Sequence, residues 1–405
     1  MSRNVKLKRS LGLPLVALYG LGNILGAGIY VLVGKVAGFA GTSTALAFLI
    51  AMITAAFTAF SYMELAGRYP VSASVSVYLH KAFGKRWLSV LIGLAMVTGG
   101  IASAAALSQG FAGYLSSFIA IPTVLASIGL IIVLGAVAIK GIGESAKTAA
   151  LFTLIEIIGL LLIVWFGRNA FPQTDVSNML TIDPAVGLSG VVAGAFLAFY
   201  AFIGFEDIVN VAEEAKNPRR TMPLAILFSL VVSTALYLLV VIVATTLVSP
   251  SELAKSSAPL TLVFERSGET SVWVLSLIGM VATINGVIVQ IIMGSRILYG
   301  LASQGWINGK LASVHKEHKT PVTATLVVMS SMIVGTILLP LVSLAQLTSL
   351  LVLSIFTLVN ASLIVIKRRG DKHQGYISVP SIVPYTGVIL CVGTIVYQLF
   401  NWALA

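Results

Sequence analysis

The chain of 405 residues is 58% hydrophobic and only 10% charged, with a mean hydropathy of +1.01. No water-soluble domain requires that much apolar surface, so the expected fold class is an all-α polytopic membrane protein. A net charge of +11 would suit a nucleic-acid partner in a soluble chain, but the placement of the cations excludes that reading.

Eleven apolar segments follow one another, near residues 14–38, 43–67, 87–118, 122–140, 146–167, 186–213, 221–248, 271–302, 321–340, 343–366 and 379–402. With the N-terminus inside, twenty-one of the 25 Lys and Arg residues fall in cytoplasmic connections. Lys35, Arg168, Lys255 and Arg266 fall outside, which is the asymmetry of the positive-inside rule. The basic loops then face anionic membrane lipid rather than nucleic acid. The expected location is the cytoplasmic (inner) membrane, with the N-terminus cytoplasmic and the C-terminus outside. The basic start, Met1 to Arg9, is like the n-region of a signal peptide, but the apolar stretch behind it is too long for one and should be retained. Connections near 69–86, 168–185, 249–270 and 303–320 are too short to fold alone, so residues 1–405 read as one transmembrane unit. Cys391 is the only cysteine, which excludes an intrachain disulfide and a Cys-based metal site.

Two of these segments are interrupted. The first contains Gly22-Asn23-Ile24-Leu25-Gly26-Ala27-Gly28-Ile29-Tyr30. Unpaired backbone groups in hydrocarbon cost several kcal/mol each, so a break here is tolerable only where it lines a cavity. The alternative is close helix packing by small residues. In the cavity reading, freed amides of Ala27, Gly28 and Ile29 sit at a helix N-terminus, where an anionic carboxylate is favoured. Carbonyls of Asn23 and Ile24 lose helical partners and can accept from an ammonium group. The sixth segment holds Phe199-Tyr200-Ala201-Phe202-Ile203-Gly204-Phe205-Glu206-Asp207. Ten segments divide into two sets of five, and an odd number per set makes the second set enter with opposite polarity, an inverted repeat with the breaks in corresponding positions.

These two motifs, with Glu213-Glu214-Ala215-Lys216-Asn217-Pro218 after the sixth segment, resemble the amino acid–polyamine–organocation (APC) superfamily of transporters, most of all its cationic-amino-acid-transporter-like prokaryotic branch. The resemblance runs over about residues 10 to 402. It implies a 5+5 inverted-repeat fold of the leucine-transporter type, with a first repeat at about 14–167, a second at about 186–366 and an extra helix at about 379–402. It further implies that Gly26 to Gly28 hold a substrate carboxylate and that carbonyls of Ile24, Tyr200 and Ile203 hold its amino group, with Phe202 counted among the lining residues. Members commonly have twelve helices, whereas this chain has an eleventh and no twelfth.

Polar residues within the apolar segments complete the candidates. Ser103 on the third segment is a candidate substrate contact, with close helix packing the alternative for the small residues there, and Asn285 on the eighth is another, with interhelical hydrogen bonding an equal alternative. Glu156, Glu206 and Asp207 are the acids near mid-depth, where ionisable groups are expensive and usually functional. Glu206 and Asp207 either cap the freed amides of the sixth-segment break or form a proton site coupled to gating. In proton-coupled relatives a lysine occupies the fifth helix where this chain aligns Glu156. Three roles are open for that acid: cycling a proton, binding sodium, or a neutral structural group. Glu64 and Arg68 are spaced to pair at the inner end of the second segment. His315 and His318 have a metal-like spacing without an acidic or Cys partner, so no metal site is expected. No phosphate-binding loop or nucleophile motif is present, so neither ATP nor enzymatic chemistry is expected.

The expectation is a secondary active transporter of a zwitterionic amino acid, without cofactor, working by alternating access. The coupling ion is expected to be H+, with Na+ second. An amino acid/polyamine exchanger or exporter, or a membrane sensor that binds without transport, are the rivals.

Overall fold

Backbone groups in hydrocarbon must pair within their own segment, and each predicted apolar segment is accordingly helical in the computed structural model. The structure describes residues 9–70, 74–141, 146–175, 179–315, 317–370 and 377–404. The first segment divides into α1 (Leu13–Leu25) and α2 (Ala27–Ala40), interrupted at Gly26 alone. Then come α3 (Thr44–Arg68), α4 (Ser74–Phe83), α5 (Arg86–Leu115), α6 (Thr123–Ile139) and α7 (Ala146–Phe166). The sixth segment is α8 (Gly187–Ala198) with a non-α remainder. It is followed by α9 (Pro218–Leu247), two short helices α10 (Pro250–Lys255) and α11 (Pro259–Arg266), and α12 (Val272–Ser303). The chain ends with α13 (Val322–Leu338), α14 (Leu341–Arg368) and α15 (Ile382–Leu404).

The predicted ends of the apolar segments agree with these helices to within about three residues, with one exception. The sixth segment was expected to be interrupted near Gly204 and to reach residue 213; the interruption is there, but no α-helix follows it within the segment. Instead, after Ala198 the chain runs as a 3-10 turn (Phe199–Phe202), an extended Ile203, and a 3-10 stretch (Phe205–Val211). Gly204 supplies the reason, because its φ of +127° and ψ of −20° turn the chain out of the helical path. Two of the expected polar connections also carry helices. In α4 the buried positions are Val75, Tyr78, Leu79 and Ala82, the i, i+3, i+4, i+7 stripe of an amphipathic helix lying on the bundle. α10 starts at Pro250, and the Ser249 hydroxyl caps it by accepting from the Glu252 N–H at 3.3 Å.

Chain direction places Arg9, Arg68, Lys81, Lys85, Arg86, Lys310, Lys367, Arg368 and Arg369 at the end of the bundle where α1 begins, here the N-terminal face. Lys35, Arg168, Lys255 and Arg266 lie toward the opposite face. Arg3, Lys6, Lys8, Lys316, Lys372 and His373 are outside the described residues. At the N-terminal face the segment before α1 pairs with the end of the sixth segment, since the Leu11 N–H donates to the Glu214 carbonyl and the Lys216 N–H to the Leu11 carbonyl. At the far face Asp183 joins the turn after α2 to the segment before α8, accepting from the Thr42 N–H at 2.9 Å. These two ties fasten the interrupted segments to each other at both ends.

The third segment, α5, lies along α12 and α14 at the centre. Its small residues let those neighbours approach: Ala104, Ala105 and Ala106 are buried, and a Cβ on Gly110 would run into Val31 of α2.

Candidate functional site

The interruptions cross one another. A Cβ on Gly28 would lie 2.8 Å from the Ala201 Cα, and one on Gly204 would lie 2.5 Å from the Asn23 carbonyl carbon. Glycine at both positions therefore permits backbone-to-backbone contact between the two segments. α2 begins at this crossing with Gly26 before it and no side-chain cap. Its first-turn amides, those of Ala27, Gly28 and Ile29, thus present the positive end of a helix.

A cavity of about 110 Å³ sits against the crossing. From the first segment Asn23, Ile24, Gly26 and Gly28 line it, and from the sixth Tyr200, Ile203, Gly204, Glu206 and Asp207. α5 adds Met96, Gly100, Ser103 and Leu107, α12 adds Asn285, Gln290 and Met293, and α14 adds Thr348, Val352 and Phe356. Val75 of α4 and Ile297 of α12 extend the lining toward the N-terminal face. Two of the lining hydroxyls are paired, with Ser103 Oγ 2.8 Å from the Tyr200 hydroxyl.

Two expected lining residues lie elsewhere. Phe202 is turned into an aromatic cluster with Phe48 and Tyr237, with ring centroids 6.4 and 5.3 Å away, and Ile29 is packed in the core. Only their backbone positions belong to the crossing. The side chain of Ala27 lies outside the described residues.

The carbonyls are partly engaged already. The Tyr237 hydroxyl, from the middle of α9, donates to the Ile24 carbonyl at 2.5 Å and to the Ala201 carbonyl at 2.9 Å. One phenol thereby serves both interruptions, and its single hydrogen satisfies one carbonyl at a time. The Tyr200 carbonyl accepts from the Ile203 N–H at 3.2 Å. Of the three carbonyls expected at a substrate amino group, Ile24 and Tyr200 thus have partners within the protein. Sequence reasoning missed Tyr237; the signal was one hydroxyl at the centre of Leu236-Tyr237-Leu238-Leu239, which in isolation reads as core.

Among the described residues, two amide atoms on the cavity-lining side chains are buried without a hydrogen-bond partner: Asn23 Nδ2, a donor, and Asn285 Oδ1, an acceptor. A buried polar atom left unsatisfied costs about 1–3 kcal/mol, so this pair points to a ligand carrying an acceptor and a donor.

The three mid-depth acids occupy different settings. Glu206 lines the cavity and accepts the Gly204 N–H at 2.8 Å, capping the break from within. Asp207 lines it too, with Asn210 Nδ2 at 3.4 Å. Glu156 is fully buried behind the cavity on α7. Asn285 Nδ2 donates to Glu156 Oε1 at 3.3 Å, and the Tyr30 hydroxyl donates to the Glu156 backbone carbonyl at 2.6 Å. Thr153, one turn earlier, donates to the Leu18 carbonyl at 3.1 Å, which seats α7 on α1.

Away from the cavity, Glu64 and Arg68 form the expected pair, with Nη2 2.6 Å from Oε1, inside a larger cluster. Lys367 Nζ from the end of α14 stands 2.8 Å from Glu64 Oε2, and the Val379 N–H donates to the same oxygen at 2.8 Å. The rings of His315 and His318 stack with centroids 4.8 Å apart.

Residues 11–403 match the family model for amino acid permeases. The chain is 30% identical to a branched-chain amino acid permease of Bacillus subtilis, over 95% of this chain and 87% of that protein. It is 27% identical to a methylthioribose transporter of the same organism, over 96% of this chain and 88% of that one. It is 31% identical to human cationic amino acid transporter 4, over 89% of this chain and 60% of the relative's length.

Proposed function

The chain belongs to the amino acid permease family, and from that premise we propose that it carries a neutral amino acid as its zwitterion, by alternating access and coupled to protons. The observation that carries the zwitterion is the pairing of two unsatisfied polar features in one cavity: the uncapped start of α2 beside Asn23 Nδ2, and the acceptor Asn285 Oδ1. A carboxylate suits the first and an ammonium group the second. A simple amine would leave the donors unpaired. The remaining wall, with Met96, Leu107, Met293 and Val352, suits an apolar side chain, in keeping with the branched-chain permease among the relatives.

A cationic substrate is the second reading, favoured by the presence of Glu206 and Asp207 on the lining. Glu206 already spends one oxygen on the Gly204 N–H, which weakens that reading. Glu156 is the proposed coupling acid, since it is fully buried and bonded to a residue of the cavity wall. The N-terminal face, with its excess of cations, is assigned to the cytoplasm, so the cavity leans inward and α15 ends outside. The 5+5 inverted repeat is the arrangement this reading adopts for the ten helical segments before α15.

The test is uptake of radiolabelled leucine and of radiolabelled lysine into proteoliposomes under proton gradients of either direction, with and without sodium. Leucine accumulation driven by a proton gradient and lost in Glu156→Gln supports the proposal. Lysine in place of leucine establishes the second reading. Binding without movement of either would make the protein a membrane sensor and overturn transport.

A further inference from the structure

We propose that Asn285 is a positioning residue whose side-chain amide reports the charge of Glu156 to the cavity, making proton and substrate compete. The inference rests on the proton-coupled reading above and adds its sign. Glu156 is not part of the cavity lining, whereas Asn285 is, and the two are joined by the Asn285 Nδ2–H donating to Glu156 Oε1 at 3.3 Å. Asn285 is 6% exposed, and its Oδ1 has no hydrogen-bond partner. A primary amide is donor at one end and acceptor at the other. An ionised carboxylate only accepts, so it holds the amide by Nδ2 and leaves Oδ1 for the cavity. A protonated carboxyl has an O–H to give. It is best served by the amide turned half round, with the O–H donating to Oδ1 and the Nδ2 hydrogens facing the cavity. The Glu156–Asn285 pair shares one hydrogen bond in either state, and the proton is taken from and returned to water.

The consequence for a zwitterion follows from what else is on offer. The Ile24 carbonyl is held by the Tyr237 hydroxyl and the Tyr200 carbonyl by the Ile203 N–H. Asn285 Oδ1 is thus an open acceptor for an incoming ammonium, on a lining that also carries the carboxyls of Glu206 and Asp207. Ionised Glu156 presents it; protonated Glu156 withdraws it and presents a donor instead. Substrate binding and protonation of Glu156 therefore oppose each other, the linkage expected of proton-for-substrate exchange. Of the other titratable side chains, Tyr30 from α2 and Tyr237 from α9 are the ones close enough to feel the charge of Glu156. α1 approaches with Gly22 against Thr153, and Glu206 and Asp207 belong to the sixth segment, on the cavity lining.

The experiment is equilibrium binding of radiolabelled leucine to the purified full chain between about pH 5 and 9, for wild type, Glu156→Gln and Asn285→Leu. Wild-type affinity should rise with pH by about tenfold, within the usual range for coupled sites. Glu156→Gln, whose amide pairs with Asn285 in either orientation, should bind without pH dependence. Asn285→Leu should bind more weakly and also without pH dependence. Wild-type pH dependence retained in Asn285→Leu overturns the relay while leaving Glu156 as coupling acid, and affinity that falls with rising pH overturns the sign. Proton-gradient-driven leucine uptake, measured alongside, tests the underlying reading by itself. Should Asn285→Leu fail to fold, difference infrared spectroscopy of the wild type decides: the asparagine carbonyl band must shift at the pH where the Glu156 carboxyl band, assigned by its loss in Glu156→Gln, disappears. Independent titration of the two bands overturns the proposal.

Discussion

Gly204→Ala tests the crossing of the interrupted segments most directly. Gly204 has a φ of +127°, and holding a residue with a side chain there costs about 1–3 kcal/mol. Its new Cβ would stand 2.5 Å from the carbonyl carbon of Asn23, a backbone atom that cannot rotate aside. Overpacking of a filled site adds about 1–3 kcal/mol. Together the strain and the clash come to about 2–6 kcal/mol, relieved most cheaply by letting the two segments part. That movement widens the gap between α2's first-turn amides and the sixth segment, so the loss appears in substrate affinity. At 1.4 kcal/mol per decade, about 2 kcal/mol corresponds to about a 30-fold weaker Kd. The assay is amino acid binding to purified protein with a thermal melt of the same sample. Gly129→Ala is the control, because a Cβ at that position of α6 meets nothing within 4 Å and should leave binding unchanged. Gly204→Ala protein that binds within about twofold of wild type would refute the crossing as the substrate site.

Tyr237→Phe removes the hydroxyl shared by the Ile24 and Ala201 carbonyls, and at about 1–3 kcal/mol for a stranded buried acceptor it should lower the melting temperature and change transport KM. An unaltered melt and KM would show the bond to be dispensable. Glu64→Gln leaves Arg68 and Lys367 in a dry cluster without their anion, so a loss of about 3–5 kcal/mol is expected in denaturant unfolding; Lys367→Met, which leaves Glu64 paired to Arg68, should cost less. At the far face the amides of Thr42 and Ala185 hold the Asp183 carboxyl below its usual range. A depressed value means that its stabilising effect is present above the unfolded-state value near about 3.9 and is lost as pH falls through the folded value. Wild type should therefore lose melting temperature below about pH 4 more than Asp183→Asn does, and parallel melting curves down to about pH 2.5 would dismiss that contribution.

The helices were legible because hydrocarbon enforces them. A bilayer leaves the backbone no choice but internal pairing, so apolar length alone located the segments to within about three residues. The interruptions were legible for the same reason, since Gly26 and Gly204 stand where a simple span has no use for glycine. What was lost depends on direction around a helix axis. Phe202 sits one residue before Ile203 on the sixth segment, yet Ile203 lines the cavity while Phe202 packs on Phe48 and Tyr237. In 3-10 geometry, three residues complete a turn, and a reading that named both residues as lining had no means of fixing which way each side chain turns. Contacts between distant segments were equally out of reach. Glu64 found Arg68 by local spacing, but its bond to Lys367 joins α3 to α14, and nothing in either segment names the other. The stripe of α4 could have been read, because Val75, Tyr78, Leu79 and Ala82 repeat at helical spacing in a stretch treated as polar connection.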